Sequence, residues 1–491
     1  MKRKIAIIGS GFSSLSAASY LAKQNFEVHV FEKNSTLGGR ARQLKKDGFT
    51  FDMGPSWYWM PDVFESFYND FGTTTSDLYE LERLDPGYQV VFGEKKSISI
   101  GDSLEKIYEV FEQEETGSQK KLERFMASAK ENYDIAIKDL VYRPGISPLE
   151  LVTPVTIKKI NYFLSTIKKD VYKEFKSPKL RQILQFPVLF LGAKPSKTPS
   201  FYNFMNWADF GLGTWHPKNG MYRIVEGMVQ IAESLGVVFH TNASVEKIQV
   251  NSSGKAEGIV VNGDLIDADI VLSGADYHHT ETLLDQSYRA YSESYWDKKV
   301  FAPSSLLFYV GVNKKVRDVH HHNLFFDVDF DTHAQAIYDT PKWPEKPLFY
   351  ANFPSVTDPS MAPEGKEACF LLIPIAPGIE DTSALRSHYY DLVMSRLEKL
   401  TGQNLKKHVE FVESFCVNDF VKEYNSYKGN AYGLANTLLQ TAFLRPKLKS
   451  KKVNDLYFTG QLTVPGPGVP PALISGKLVA DLISKKLNLS D

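Results

Sequence analysis

Cysteine is almost absent from this chain of 491 residues, which contains only Cys369 and Cys416. The two are far apart and form no C-x-x-C pair, so they can build neither a disulfide framework nor a cysteine metal cluster. Such usage is expected of a protein in a reducing cytoplasm. The histidines at 278–279 and 320–322 lack the i, i+4 spacing of a helical metal site. They are expected at turns or on the surface, and no metal is expected.

A strong charge of one sign is also lacking, because 57 basic and 58 acidic residues leave a net charge of −1. This balance gives no electrostatic reason to expect a nucleic acid partner. Long apolar runs are missing too, since no stretch approaches the ~18 apolar residues of a membrane span. The basic start Met1–Lys4 precedes only a short apolar run, Ile5–Ile8. That run is expected to be a first β-strand and not a secretion signal.

The most informative feature present is a glycine-rich turn, Gly9-x-Gly11-x-x-Ser14, between a predicted strand and a predicted helix. Gly9 permits the tight turn, and Gly11 lets the backbone approach a pyrophosphate at the helix N-terminus. Glu32 closes the next predicted strand, where a carboxylate accepts hydrogen bonds from ribose hydroxyls. Ser14 stands where a third glycine is usual. The pattern predicts dinucleotide binding in preference to an ordinary structural turn.

A second glycine cluster follows directly, with Gly38-Gly39-Arg40 and then Asp52-x-Gly54-Pro55-Ser56-Trp57. A nicotinamide enzyme needs no such cluster. The longer FAD requires further close backbone approaches along its extended length. Arg40 could add a positive charge beside the diphosphate. The spacing therefore favours FAD over a nicotinamide dinucleotide.

Later segments are expected to complete the same site. The pattern predicts a helix over 224–235, strands over 237–240, 243–248, 256–262 and 269–273, and a final strand and glycine turn over 456–461. A closing helix is predicted over 472–486. Residues 100–225 are predicted to be mostly helical, including 105–112 and 119–133, whereas 300–440 mix strands (305–312 and 368–374) with a helix over 383–400.

These motifs resemble the FAD-dependent amine-oxidase-like superfamily, and further stretches resemble the bacterial and fungal carotenoid desaturases of the phytoene type. The stretches are Gly460-x-x-Thr463-x-Pro465-Gly466-x-Gly468-Val469-Pro470, Pro354-Ser355-x-Thr357-Asp358-Pro359, Gly213-Thr214-Trp215-x-Pro217, His321-His322-Asn323 and Tyr427-x-Gly429-x-Ala431-Tyr432-Gly433. The likeness runs end to end. Val464 departs from it, because many relatives carry a histidine there, and so does Pro471, where many carry glycine.

The resemblance implies an α/β fold with a discontinuous Rossmann-like FAD-binding domain, a mixed-sheet substrate domain and a helical membrane-associating subdomain. The expected division is 1–90 with 221–285 and 441–491 for FAD, 91–220 for the helical subdomain, and 286–440 for the substrate domain. The residues expected to contact FAD are Gly9, Gly11, Phe12, Ser13, Ser14, Glu32, Lys33, Gly38, Gly39, Arg40, Gly54, Pro55, Ser56, Trp57, Val245, Gly460, Gln461, Gly468 and Val469.

The resemblance also implies that the protein removes hydrogen from a C40 polyene, phytoene or a later carotene, and inserts conjugated double bonds. A hydrocarbon has no polar handle, so it can be held only in a long apolar tunnel. Hydride would pass to the flavin, and oxygen or a quinone would reoxidise it. No Ser/His/Asp or paired-carboxylate constellation stands out. Arg143, His216 and Asp358 are the candidate catalytic assistants.

The protein is expected to be cytoplasmic. Because a carotene resides in lipid, the protein is also expected to associate peripherally with a membrane. The segment 155–175 repeats apolar residues at helical spacing beside Lys158, Lys159, Lys168, Lys169 and Lys173. Such a basic amphipathic helix can dock on anionic lipid, with the apolar run 186–191 nearby. An ordinary surface helix gives the same pattern.

Two other functions fit the same motifs. One keeps the flavin but isomerises a carotene between cis and trans, or saturates a polyene. The other is a non-enzymatic escort protein for prenylated partners, which shares the superfamily fold. An escort has no need of an intact flavin-contacting loop, whereas Gly466-x-Gly468-Val469-Pro470 is complete here.

Overall fold

The computed structural model describes residues 2–488. The N-terminal strand is the middle strand of a parallel sheet. The strands are β1 Lys4–Ile8, β2 Glu27–Phe31, β3 Gln43–Lys46, β4 Phe49–Asp52, β5 Leu81–Arg83, β6 Tyr88–Gly93, β7 Lys96–Ile100, β8 Trp215–Pro217, β9 Val238–His240, β10 Val245–Val250, β11 Ala256–Val261, β12 Asp264–Asp267, β13 Ile270–Ser273, β14 Ser304–Val312, β15 His322–Phe325, β16 Phe349–Asn352, β17 Glu367–Ile375, β18 Val409–Phe415 and β19 Leu456–Phe458.

The α-helices alternate with these strands. They are α1 Phe12–Lys23, α2 Pro61–Asn69, α3 Thr75–Leu78, α4 Leu104–Glu114, α5 Ser118–Lys138, α6 Pro154–Lys158, α7 Ile160–Leu164, α8 Ile167–Glu174, α9 Pro178–Gln185, α10 Phe204–Asn206, α11 Tyr222–Ser234, α12 Tyr277–Thr282, α13 Glu293–Asp297, α14 Phe330–Tyr338, α15 Ser383–Thr401, α16 Val417–Tyr424 and α17 Val469–Asn488.

The parallel sheet has the strand order β19-β13-β1-β2-β9, so it is assembled from three separate parts of the chain. Its central strand β1 is buried on both faces, which explains the uninterrupted apolar run at Ile5–Ile8. The first and last helices pack together: the hydroxyl of Ser16 on α1 donates to the carbonyl of Leu473 on α17 at 2.7 Å. The predicted meeting of the N-terminal and C-terminal segments is therefore confirmed.

A second, seven-stranded mixed sheet has the order β18-β14-β17-β16-β15-β6-β7. One face of β14, with Leu306, Phe308 and Val310, packs in a core with α15. The hairpin β6–β7 joins this sheet through the parallel pair β15–β6. The predicted domain boundary at residue 90 thus falls inside β6, and the division into three domains stays a prediction.

The segment 155–175, predicted as one helix, is three short helices, α6, α7 and α8. The prediction of a continuous helix is wrong because the chain breaks before Thr166. The hydroxyl of Thr166 caps α8 by accepting a hydrogen bond from the Lys169 backbone N–H at 3.3 Å. The break also splits the apolar stripe. Ile167, Val171 and Phe175 are buried, whereas Ile157, Ile160 and Leu164 are exposed.

Candidate functional site

The glycine turn after β1 leaves open space in front of the N-terminus of α1. Gly9 has a φ of +84°, and its backbone N–H donates to the Phe31 carbonyl at 2.8 Å. A Cβ built on Gly11 would meet no protein atom within 4 Å. A Cβ on Gly39 would lie 3.3 Å from the Gly11 Cα, so the two glycine clusters touch. Together they form a backbone cradle suited to a pyrophosphate.

Glu32 is buried directly after the carboxyl end of β2, and its carboxylate already accepts hydrogen bonds from neighbouring residues. Its carboxylate accepts hydrogen bonds from the Ser10 backbone N–H at 3.0 Å, the Ser10 hydroxyl at 2.7 Å and the Asn34 backbone N–H at 2.9 Å. A carboxylate has about four lone-pair sites, so one remains for a ribose hydroxyl. Ser10 also accepts from the Gly38 backbone N–H at 3.2 Å, which ties the two glycine clusters together.

Arg40 lies on the wall of this cradle and is half-buried, with the Nε of its guanidinium shielded from solvent. It donates to the Ser426 hydroxyl at 3.0 Å, and its Nε has no hydrogen-bond partner in the described part of the chain. Burial lowers the pKa of Arg40 below its ordinary value, and the charge of nearby Asp276 partly offsets this. A half-buried cation with an unused donor fits an anionic diphosphate.

Two later turns close the cradle. Gly274 and Asp276 follow β13, and Gly460 follows β19 with a φ of +106°. The Ser475 hydroxyl on α17 accepts from the Gly460 backbone N–H at 3.0 Å and fixes that turn. The N-terminus of α17, at Val469, faces the same space, where its dipole favours negative charge.

One cavity of about 460 Å³ runs through this cradle. The predicted cofactor residues that line it are Gly9, Gly11, Phe12, Ser13, Glu32, Lys33, Gly38, Gly39, Arg40, Gly54, Pro55, Ser56, Trp57, Val245, Gly460, Gln461, Gly468 and Val469. Ser14 is not among the lining residues. It is buried beneath them, and its hydroxyl would lie 2.0 Å from a Cβ on Gly274, so it packs α1 against the turn after β13.

The far end of the same cavity is apolar. Its lining residues come from the seven-stranded sheet and the loops beside it, from α14, and from the segment 186–205. They are Phe186, Leu189, Met205, Leu307, Leu324, Phe326, Phe330, Ile337, Leu348 and Leu372. His333 also lines it but is neutral and hydrogen-bonded at both nitrogens. Its Nδ1 accepts from the Leu348 backbone N–H at 2.8 Å, and its Nε2 donates to the Pro374 carbonyl at 2.8 Å. Burial lowers the pKa of His333 to about 4.

The three candidate catalytic residues lie elsewhere, and their roles stay predictions. Arg143 pairs with Asp139, its Nε lying 3.1 Å from a carboxylate oxygen. His216 and Asp358 form a buried pair at 3.2 Å. The described residues that line the cavity include none of the three.

The prediction that the histidines at 320–322 lie at turns or on the surface is wrong for two of them. His321 and His322 are buried, and His322 begins β15 inside the seven-stranded sheet. The prediction that 278–279 lie at a turn or on the surface also needs correction, because His279 lines the cavity.

Several lining residues carry no motif in the sequence. They are Ser10, Asn34, Asp276, His279, His333, Tyr338 and Tyr350. Only Ser10 had a usable signal, because it lies between the two glycines of the first turn. The aromatic residues have the same pattern as ordinary core residues, so their position on a cavity wall depends on tertiary packing.

Known proteins are similar to this sequence over nearly its whole length. The family model for flavin containing amine oxidoreductases matches residues 12–484. A carotenoid 3,4-desaturase from Haloarcula japonica is 41% identical over 490 residues, which cover 98% of this chain and 97% of that protein. A zeta-carotene-forming phytoene desaturase from Myxococcus xanthus is 31% identical over 490 residues, covering 98% and 93%.

The fold also matches solved structures. An oxidoreductase from Methanosarcina mazei superimposes with a TM-score of 0.65 at 18% identity, covering 97% of this chain and all of that one. This likeness supports the mixed α/β architecture. The glycine cradle, the remaining acceptor site of Glu32 and the half-buried Arg40 fit FAD, which is the cofactor. With a match that spans residues 12–484, the chain belongs to the flavin containing amine oxidoreductase family.

Proposed function

We propose that this protein is an FAD-dependent carotenoid desaturase that inserts conjugated double bonds into phytoene or a later carotene. The observation that carries the proposal is the continuity of the cavity, which joins the dinucleotide cradle to an apolar chamber. Relatives named carotenoid 3,4-desaturase and phytoene desaturase support the same substrate class.

The apolar chamber supplies binding and positioning. A polyene is held by burial of its surface, which contributes about 25 cal/mol per Å². Bound FAD supplies the hydride acceptor. Side chains such as Phe326, Phe330 and Ile337 exclude water and hold one C–C bond of the chain near the cradle. Specificity for one carotene would then follow from the length and shape of the chamber.

Product analysis tests this function and separates it from the alternatives. We expect purified holoprotein, mixed with liposomes containing phytoene or a monocyclic carotene, to give products with more conjugated double bonds and absorbance at longer wavelength. Geometric isomers of unchanged double-bond count would instead identify a carotene isomerase. Loss of double bonds would identify a saturase, and a colourless protein that binds no flavin would favour a prenyl-lipid escort.

We propose further that an apolar surface patch docks the protein on a membrane. In the part of the chain that the structure describes, no helix is both long and apolar enough to cross a bilayer. Six exposed apolar side chains fall within residues 146–164, and we call this group the patch: Ile146, Leu149, Val152, Ile157, Ile160 and Leu164. Apolar side chains of this kind can enter the interface, and the exposed Lys158 and Lys169 beside them favour anionic lipid.

The patch lies close to the cavity. Phe163 on α7 stacks on Phe201, with ring centroids 4.8 Å apart, and Met205 lines the cavity four residues further along. Two of the lysines first expected to contact lipid are already paired, Lys159 with Glu131 at 2.5 Å and Lys168 with Asp331 at 2.7 Å. The apolar side chains are therefore expected to contribute more than the lysines.

Replacing Leu149, Ile157 and Leu164 with Ser tests the docking surface. These side chains are between 60% and 76% exposed. Losing their insertion is expected to cost about 3 kcal/mol in total, which corresponds to ~100-fold weaker binding. Co-sedimentation with anionic liposomes measures the change.

The matched control is a triple Ser variant of Val238, Leu265 and Val421, which are 44–49% exposed outside the patch. It should bind liposomes like the parent protein. Equal binding by both triple variants and the parent would show that the patch is an ordinary surface.

A further inference from the structure

A cluster of buried polar side chains around Tyr350 adjoins the cavity. Tyr350, on β16, lines the cavity, and its hydroxyl lies 2.6 Å from His322 Nδ1 and 3.1 Å from the Ser56 hydroxyl. Trp57 stacks on the His322 ring, with centroids 4.1 Å apart and an interplanar angle of 10°. His322 is fully buried, and its Nε2 has no hydrogen-bond partner among the described residues.

The direction of the Tyr350–His322 hydrogen bond follows from Asn352. The amide nitrogen of Asn352 donates to the His321 carbonyl at 2.9 Å, which fixes the orientation of the amide, and it also lies 3.4 Å from His322 Nδ1. A nitrogen that faces an amide donor is an acceptor, so Nδ1 is unprotonated and Nε2 carries the hydrogen. Tyr350 therefore donates its O–H to Nδ1, and its oxygen is left to accept from Ser56.

Behind His322 a row of neighbouring imidazole rings leads to a carboxylate, the rings meeting edge to face (64°) and tilted (55°). The ring centroids of His322 and His321 are 4.5 Å apart, and those of His321 and His216 are also 4.5 Å apart. His216 Nε2 lies 3.2 Å from a carboxylate oxygen of Asp358. The row of histidines thus extends from the residue beside the cavity wall to an acidic residue.

The pKa directions of Tyr350 and His322 establish their resting protonation states. Burial lowers the pKa of His322 well below its ordinary value, with a further decrease from His216, and burial raises the pKa of Tyr350 well above its own. Both groups are therefore neutral before reaction, and burial makes His322 a weak base that takes up a proton only from a strongly acidic donor, such as the C–H beside a carbon that has lost hydride. Burial alone would raise the pKa of Asp358, but hydrogen bonds from His216, Ser360 and Asn219 lower it overall, and it stays ionised.

We propose that Tyr350 and His322 together accept the proton that the carotene loses, and that His321, His216 and Asp358, which lie behind His322, position its ring. The proposal rests on the desaturase function. Desaturation removes a hydride from one carbon and a proton from its neighbour, and the electrons of the second C–H bond form the new double bond. The proton binds the Tyr350 oxygen while the phenol's own proton moves to His322 Nδ1. His322 becomes an imidazolium at the head of the histidine row.

Isotope effects on the holoenzyme test this role. Carotene deuterated at the hydride-losing carbon and carotene deuterated at the proton-losing carbon are compared in Tyr350→Phe, His322→Asn and the parent protein. In both variants we expect kcat to fall by ~100-fold, which is within the range of general-base catalysis. We also expect the kinetic isotope effect of deuterium at the proton-losing carbon to rise. His322→Asn keeps a polar group near Tyr350 but cannot take up the proton.

Tyr338→Phe is the matched control, because Tyr338 is a second phenol on the cavity wall and belongs to α14. It should leave the ratio of the two isotope effects unchanged. Side-chain NMR of ¹⁵N-labelled histidine should in addition show His322 as the Nε2–H tautomer in the protein without substrate.

An unchanged isotope pattern in Tyr350→Phe, or FAD loss that accounts for the lower activity of both variants, would overturn the proposal and leave the pair with a structural role. Failure of the proposed function is a separate result. In that case the parent protein itself would desaturate no carotene.

Discussion

Gly11→Ala is expected to abolish FAD binding while leaving the fold intact. The added methyl group would meet no protein atom within 4 Å, and the backbone of Gly11 has an ordinary φ of −69°. The methyl group would instead occupy space that the pyrophosphate needs for its approach to the helix N-terminus. We expect FAD affinity to fall by at least about 100-fold, or ~3 kcal/mol, at an unchanged Tm of the apoprotein. Fluorescence titration with FAD and thermal unfolding measure the two quantities.

Gly72→Ala provides the opposite control. Gly72 is exposed, is not among the cavity-lining residues, and has a φ of +75°. Alanine there is strained by about 1–2 kcal/mol, so the variant should lose stability but keep FAD affinity. Parent-like FAD binding by Gly11→Ala would contradict the position of the pyrophosphate.

Ala334→Trp is expected to block the substrate while sparing the cofactor. Ala334 lies on α14 and lines the apolar part of the cavity near Phe330 and Ile337. An indole there would fill the chamber that holds the polyene, where shape decides binding. We expect kcat/KM for the carotene to fall by at least ~100-fold, about 3 kcal/mol, with FAD content unchanged. Steady-state product formation and the flavin spectrum test this.

Gln335→Trp adds the same bulk to the next residue of α14, which is exposed. It should desaturate like the parent protein. If Ala334→Trp also kept parent-like turnover, the apolar end of the cavity would not be the substrate site.

The sequence predicted which glycine-bearing segments line one cavity, because the conformation of such turns depends on the backbone. Gly9 and Gly11 are required wherever a chain turns tightly and approaches a phosphate, so their spacing is informative without tertiary structure. Strands such as β13 and β19 were also found, since fully buried parallel strands leave short apolar runs. Ser14 was assigned to the cofactor from its place in the motif, whereas its side chain packs under the turn after β13.

The remaining features depend on contacts between distant segments. The parallel pair β15–β6 joins residues 323–325 to residues 89–91. Local sequence patterns do not predict which distant strands pair. The burial of His321 and His322 follows from that position in the sheet. The break between α7 and α8 was missed because the apolar spacing continues through Thr166, and only the cap at that residue ends the helical repeat.

The central claim is that a carotene and FAD occupy one cavity and exchange hydrogen there. Mixing holoprotein with phytoene-containing liposomes in the absence of oxygen tests it directly. The account predicts that the flavin's visible absorbance bleaches as a longer-wavelength polyene forms, that Ala334→Trp prevents the bleaching, and that added oxygen or quinone restores the oxidised spectrum. A holoprotein whose flavin stays oxidised in the presence of every carotene tested would contradict it.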